Sequence, residues 1–213
     1  MGWFKGDATE QPGQFIVGGG KVPERHYGYL SVRWSVDNAL GMIEIITTME
    51  PGNGATSLVT RIKANPWTAM VLIETFYMSM YLAYAEIVLN VSERALAEMN
   101  IGFLDGIKAL LGPDEKPYDT KIQSFIQQKA QDFRFAIKTE LNSKIELGNV
   151  DFTGGPTCDI LIRSLCTMYS TNPTKPDTFD AMESTRLVLL FGHQPAKFMH
   201  MLKDDLHISY RVA

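Results

Sequence analysis

Glu74, Tyr77, Tyr81 and Tyr84 are the residues best spaced to act together. At about 100° per residue in an α-helix, all four fall within about 80° of one another, on the apolar side of the segment that carries them. That segment, 67–91, reads WTAMVLIETFYMSMYLAYAEIVLNV and holds 19 apolar and six polar residues. A carboxylate on such a face must be paired, hydrogen-bonded or protonated, because an unpaired buried charge is costly. The tyrosine hydroxyls at i+3 and i+7 are donors within the same helix, and Arg134, Arg163 or Arg186 are cations that a facing helix can bring. Two chemistries fit: a general acid or base, or polar anchor for a small molecule, in an aromatic-lined pocket; or a carboxylate locked into the core with the tyrosines as packing. The second is favoured, since no other carboxylate shares the face.

The remaining chemical candidates are weaker. Gly18-Gly19-Gly20-Lys21 has the look of a phosphate cradle, but Phe15 stands where the first glycine belongs and Val22 where the magnesium-holding hydroxyl belongs, so a flexible hinge is expected. His193, His200 and His207 repeat every seven residues. In one helix that spacing is roughly 10 Å, too far for two ligands on one zinc. His200 with Asp204 at i+4 is the remaining metal option, and solvated side chains are expected instead. No Glu-x-x-His pair of the di-iron kind is present. No metal and no cofactor is therefore expected.

Cys158 and Cys166 lie eight apart in one expected helix, roughly 12 Å along its axis and beyond the ~7 Å reach of a disulfide. Free, buried thiols point to a reducing compartment, and residues 1–12 lack the apolar core of an export signal, so the expected location is cytoplasmic. Gly6 stands where a myristoylation motif wants Ser or Thr. Attachment to a membrane surface through Trp3-Phe4-Lys5 offers little anchoring area.

The elements that must position these residues follow from the punctuation of the chain. Residues 1–28 are rich in Gly, Pro and charge and read as a flexible arm with one short strand at most; 29–213 read as one helical domain. A helix is expected from about Ser35 to Pro51, a short one near 56–63, and a long one from Pro66 towards Glu98 with Asn65 as its cap. Gly102 and Gly106 weaken the segment that follows. Further helices are expected from Asp119 or Thr120, with Ile122, Phe125, Ile126, Phe133, Ile137 and Leu141 inward; from Gly155-Pro156, with Cys158, Leu161, Ile162, Leu165 and Cys166 inward; from Asp177 or Thr178 to Phe191; and from Pro195 to about Leu206. The fold class is all-α, a single-domain bundle of six to seven helices.

Segment 67–91 is long enough to cross a bilayer. Thr68, Thr75, Ser79, Glu86, Asn90 and Glu93, however, fall within about 60° of one another, a narrow stripe expected to graze solvent, so no transmembrane span is expected. With 20 basic and 24 acidic residues interspersed, net charge −4, no nucleic-acid surface is expected. The last helix groups Phe198, Met199, Met201 and Leu202 beside Lys203, Asp204 and Asp205, an apolar face suited to docking on a partner or on the core. Together these features point to a protein that works by association with a protein partner or with itself, as a subunit, adaptor or assembly factor. The alternative is a small-molecule-binding bundle or enzyme built on Glu74 and the tyrosine stripe.

Overall fold

The computed structural model describes residues 12–52, 57–111, 120–146, 155–172 and 177–212. Trp3-Phe4-Lys5 and Asp119 lie outside them, as do the side chains of Ile122, Phe125 and Ile126. The chain is mostly helical, with a small three-stranded sheet.

β1 (Gly13–Val17) and β2 (Gly20–Pro23) pair antiparallel, with Phe15 opposite Val22. Gly18 and Gly19 both have positive φ, +55° and +81°, the backbone that the tight two-residue turn of a right-twisted hairpin requires. The glycine run is thus a hairpin turn. β3 (Ser209–Val212), which the sequence did not announce, pairs with the other edge of β1, giving the order β2-β1-β3.

α1 (Glu24–Thr48) starts eleven residues before the expected Ser35, directly after Pro23. Its inward face is Tyr27, Gly28, Ser31, Val32, Ser35, Ala39, Met42 and Ile46, at helical spacing but with small and hydroxyl residues in its first half. Ser31 and Ser35 are tolerated inside because each hydroxyl donates to the carbonyl one turn back, at 2.8 and 2.7 Å. The β-leaning run from Leu30 to Trp34 is helical because that face is buried against other helices, and packing outweighs propensity.

After α2 (Leu58–Ala64) comes α3 (Pro66–Ala83), central and almost wholly buried. Asn65 precedes it, but its side chain turns to Thr68 rather than to a free amide; the Tyr169 hydroxyl accepts from the Ala69 N–H at 3.0 Å and donates to the Asn65 carbonyl. The expected helix to Glu98 is interrupted. α3 runs into a π-helical turn, Tyr84–Val88, and Asn90 takes a left-handed conformation, φ 52°, before α4 (Glu93–Leu111) begins. Pro66–Val88 is long and apolar enough to cross a bilayer, and 72% of its most apolar window is buried by this chain's own elements.

Gly102 and Gly106 sit inside α4 and set its approach to α1. A Cβ on Gly102 would lie 1.8 Å from the Arg25 carbonyl oxygen, and one on Gly28 would lie 2.1 Å from that of Met99. Only glycine permits two helix backbones so close. α5 (Thr120–Glu146) covers α3 with Phe133, Ile137 and Leu141 inward. α6 (Gly155–Met168) buries Cys158, Leu161, Ile162 and Leu165 as its spacing predicts, while Cys166 is only half-buried. α7 (Ala181–Gly192) begins at Asp180, whose carboxylate accepts from the amides of Met182 and Glu183. α8 (Gln194–His200) follows at once and ends in a second π-helical turn, Met201–Asp205.

Candidate functional site

The tyrosine stripe faces inward as its angle predicts. Tyr77, Tyr81 and Tyr84 are buried, and Glu74 is 9% exposed. The stripe is packed rather than open. The Tyr77 and Tyr81 rings meet Phe198 at 5.5 and 4.7 Å between centroids, and Tyr81 also meets Trp34 at 5.7 Å. Tyr77 donates a long hydrogen bond, 3.4 Å, to Gln194 Oε1 and so does not serve Glu74. The arginines offered as partners for Glu74 lie elsewhere: Arg134 pairs with Glu86 at 2.8 Å and Arg163 with Asp159 at 2.8 Å, while Arg186 points outward from α7.

Glu74 has no hydrogen bond or ion pair among the described residues. Burial lifts its carboxyl from the ordinary 4.5 to about 7, because the charged form loses hydration with nothing to replace it. Near neutrality it is therefore an acid that can hold or release a proton. Burial raises the Tyr77, Tyr81 and Tyr84 phenols as well, which keeps them neutral donors.

Two other buried carboxylates, Glu24 and Glu183, are well partnered, and sequence reasoning missed them. Glu24 Oε1 accepts from the Gly13 amide at 3.0 Å, Arg94 Nη2 at 2.6 Å and the Tyr210 hydroxyl at 2.6 Å. Glu183 accepts from Ser57 Oγ at 2.6 Å and from the Leu58 amide at 2.7 Å, closing the start of α2. Their partners are up to 186 residues away in sequence, so no local pattern reveals them. The polar stripe grazes solvent at Thr68, Glu86, Asn90 and Glu93 as expected, but not along its middle. Thr75 and Ser79 are buried, Ser79 reaching the Ala130 carbonyl on α5, and Glu86 is held by Lys138 and Arg134 of the same helix. Burial opposes the Glu86 charge, yet those hydrogen bonds keep its carboxyl below the ordinary value.

The apolar group Phe198, Met199, Met201 and Leu202 packs onto the core. Phe198, Met199 and Leu202 are buried and Met201 half-buried, against the tyrosines of α3, so this group is no outward docking face. The outward apolar face belongs to α7. Met182, Val188 and Leu189 are 67, 48 and 60% exposed. With Ala181 and Thr185 they cover about 120° of the helix, opposite the buried Glu183, Leu187 and Phe191. Thr185, the polar member, donates its hydroxyl to the Ala181 carbonyl at 2.9 Å and leaves its methyl outside. A second apolar exposure is Phe135 of α5, 75% exposed beside an open groove of about 280 Å³ lined by Lys129, Asp132, Ile160 and Arg163.

Cys158 is buried, its thiol donating to the Phe191 carbonyl at 3.1 Å and pushed up to about 12 by burial; Cys166 is also unbridged and raised. Neither is poised as a thiolate nucleophile. His200 pairs with Asp204 at 2.5 Å on the surface, and no three His, Cys, Asp or Glu side chains converge as metal ligands among the described residues. Compared with protein-family models, with curated proteins and with solved structures, the chain has no match in any of the three.

Proposed function

We propose that the chain works by protein–protein association, as a subunit, adaptor or assembly factor, and that the outward face of α7 makes the contact. One observation carries this reading: α7 is apolar on both sides. A helix at a protein surface ordinarily turns polar residues outward, and Met182, Val188 and Leu189 turn outward here. Methionine suits such a contact because its unbranched side chain adapts to the partner's shape. A helix of this length spans about 18 Å, so its outward face is well below the roughly 800 Å² per partner of a standard interface. The contact therefore fits a transient adaptor or assembly role better than a permanent subunit. Two unbridged cysteines fit a reducing compartment, the cytoplasm in this reading.

The test is native mass spectrometry of protein purified gently from its own source, beside a Met182→Lys/Leu189→Lys variant. We expect a second copy or another protein bound to the wild type and absent from the variant, with the melting temperature unchanged because both side chains are exposed. A wild type that is monomeric and partnerless would overturn the reading. A second reading, a small-molecule site at Glu74, draws on its lack of a protein partner. It requires extra mass on the purified wild type that Glu74→Gln removes.

A further inference from the structure

The least explained polar groups in the core are two phenols. The hydroxyls of Tyr27 on α1 and Tyr81 on α3 are both enclosed and have no hydrogen-bond partner among the protein atoms. Buried polar groups in folded proteins are almost always hydrogen-bonded, to protein or to ordered water. Leaving one hydroxyl bare is costly, and two in one cluster is harder to accept.

The two rings belong to the same cluster. Their centroids are 6.5 Å apart at 79°, so one ring presents its edge to the other. Phe15 stacks on Tyr27 at 3.9 Å, and Phe198 packs edge-on against Tyr81 at 4.7 Å. Apolar surfaces thus close the site on two sides. A third polar atom is at hand. The fully buried Ser31, one turn along α1 from Tyr27, gives its own proton to the Tyr27 carbonyl at 2.8 Å, which leaves the lone pairs of its Oγ available.

We propose that Tyr27, Tyr81 and Ser31 form a binding site for a single structural water. The water oxygen accepts both phenol protons and returns one of its own to Ser31 Oγ. That makes three hydrogen bonds, about the number a buried water typically makes. The water joins α1 to α3 at the centre of the bundle, where the two helices share no direct side-chain hydrogen bond among those described.

The two possible states of this site give opposite signs on mutation. Replacing a phenol by phenylalanine removes a hydrogen bond if a water is bound, and removes an unsatisfied group if the site is dry. For a chain of this size, loss of one hydrogen bond lowers the melting temperature by about 2–4 °C. We expect that fall for Tyr27→Phe and for Tyr81→Phe, with the double variant falling by less than the sum because both act on one water. In the wild type, a high-resolution crystal structure should place one ordered water within hydrogen-bond distance of both phenols. A dry site in that structure, or single variants whose melting temperature is unchanged or raised, overturns the proposal. The crystallographic reading uses the wild type, so it holds even where a variant folds poorly.

Discussion

Glu74 is the residue whose burial has the clearest consequence in solution. Its carboxyl is held near 7 in the fold against an ordinary 4.5, so between those values the folded chain binds a proton that the unfolded chain has released. Stability linked to Glu74 is therefore intact below about pH 4.5 and declines as pH rises towards 7, by roughly 3 kcal/mol if the whole difference is expressed. Glu86 acts in the other direction: its lowered carboxyl contributes above its ordinary range and loses that contribution as pH falls. Glu74→Gln, neutral at every pH, should give a flatter curve of unfolding free energy against pH and exceed the wild type at pH 8. Denaturant titrations of both proteins from pH 5 to pH 8 make the comparison, and parallel curves would show that Glu74 finds a partner in solution. The angle of Glu74 on its helix was legible in the sequence, because helical periodicity alone places it among Tyr77, Tyr81 and Tyr84. Its isolation was not, because that depends on where Arg134 and Arg163 are drawn by Glu86 and Asp159.

At the scale of elements, the tightest constraint is the crossing of α1 and α4. A Cβ on Gly102 would meet the Arg25 carbonyl oxygen at 1.8 Å and the Tyr29 amide nitrogen at 2.9 Å, both backbone atoms that cannot rotate away. Gly102→Ala must push the helices apart and should cost about 1–3 kcal/mol or more, as overpacking does. Gly41, also helical, is exposed with nothing within 4 Å of an added Cβ, and Gly41→Ala should stabilise by about 0.4–1 kcal/mol. Thermal melts of the pair test the sign: two rises would locate the whole effect in helix propensity and remove the close crossing, whereas a fall at Gly41→Ala would show that the added methyl meets a neighbour. The same glycines explain why α4 was hard to read. Gly102 and Gly106 weaken a helix in isolation, and their compensation lies in a partner some 75 residues earlier, beyond any local window. The first half of α1 was obscured for a related reason, since Gly28, Ser31 and Ser35 face the core where a periodicity of apolar residues was sought. By contrast α6 was legible, its start at Gly155-Pro156 and its inward face being set by neighbours in sequence, while α7 and α8 were legible as helices but α7 starts at Asp180 rather than at Asp177 or Thr178 and α8 stops at His200.

At the scale of the whole molecule, the two ends of the described chain close on each other. β1 lies between β2 and β3, the Gly18 amide donates to the Leu206 carbonyl at 2.8 Å, and Glu24 gathers Gly13, Arg94 and Tyr210 onto one carboxylate oxygen. A Cβ at Gly13 would lie 2.0 Å from the Tyr210 hydroxyl oxygen, so any larger residue there must displace that ring from Glu24. One buried carboxylate thus ties the sheet to α1 and α4. Tyr210→Phe removes one charge-assisted hydrogen bond without changing the ring that packs on Phe15. The expected loss is about 2 kcal/mol, a fall of about 4–8 °C in melting temperature for a chain of this length. Because the junction spans both ends, the loss should not be confined to β3. Native-state hydrogen exchange should show the amides of β1 and β3 accelerating together, with those at the start of α1. Glu24→Ala should cost more, since it leaves Arg94 Nη2 and the Gly13 amide without their acceptor. If Tyr210→Phe accelerates β3 alone and leaves the melting temperature unchanged, the sheet is an appendage, and the Gly13 and Arg94 contacts suffice to hold Glu24.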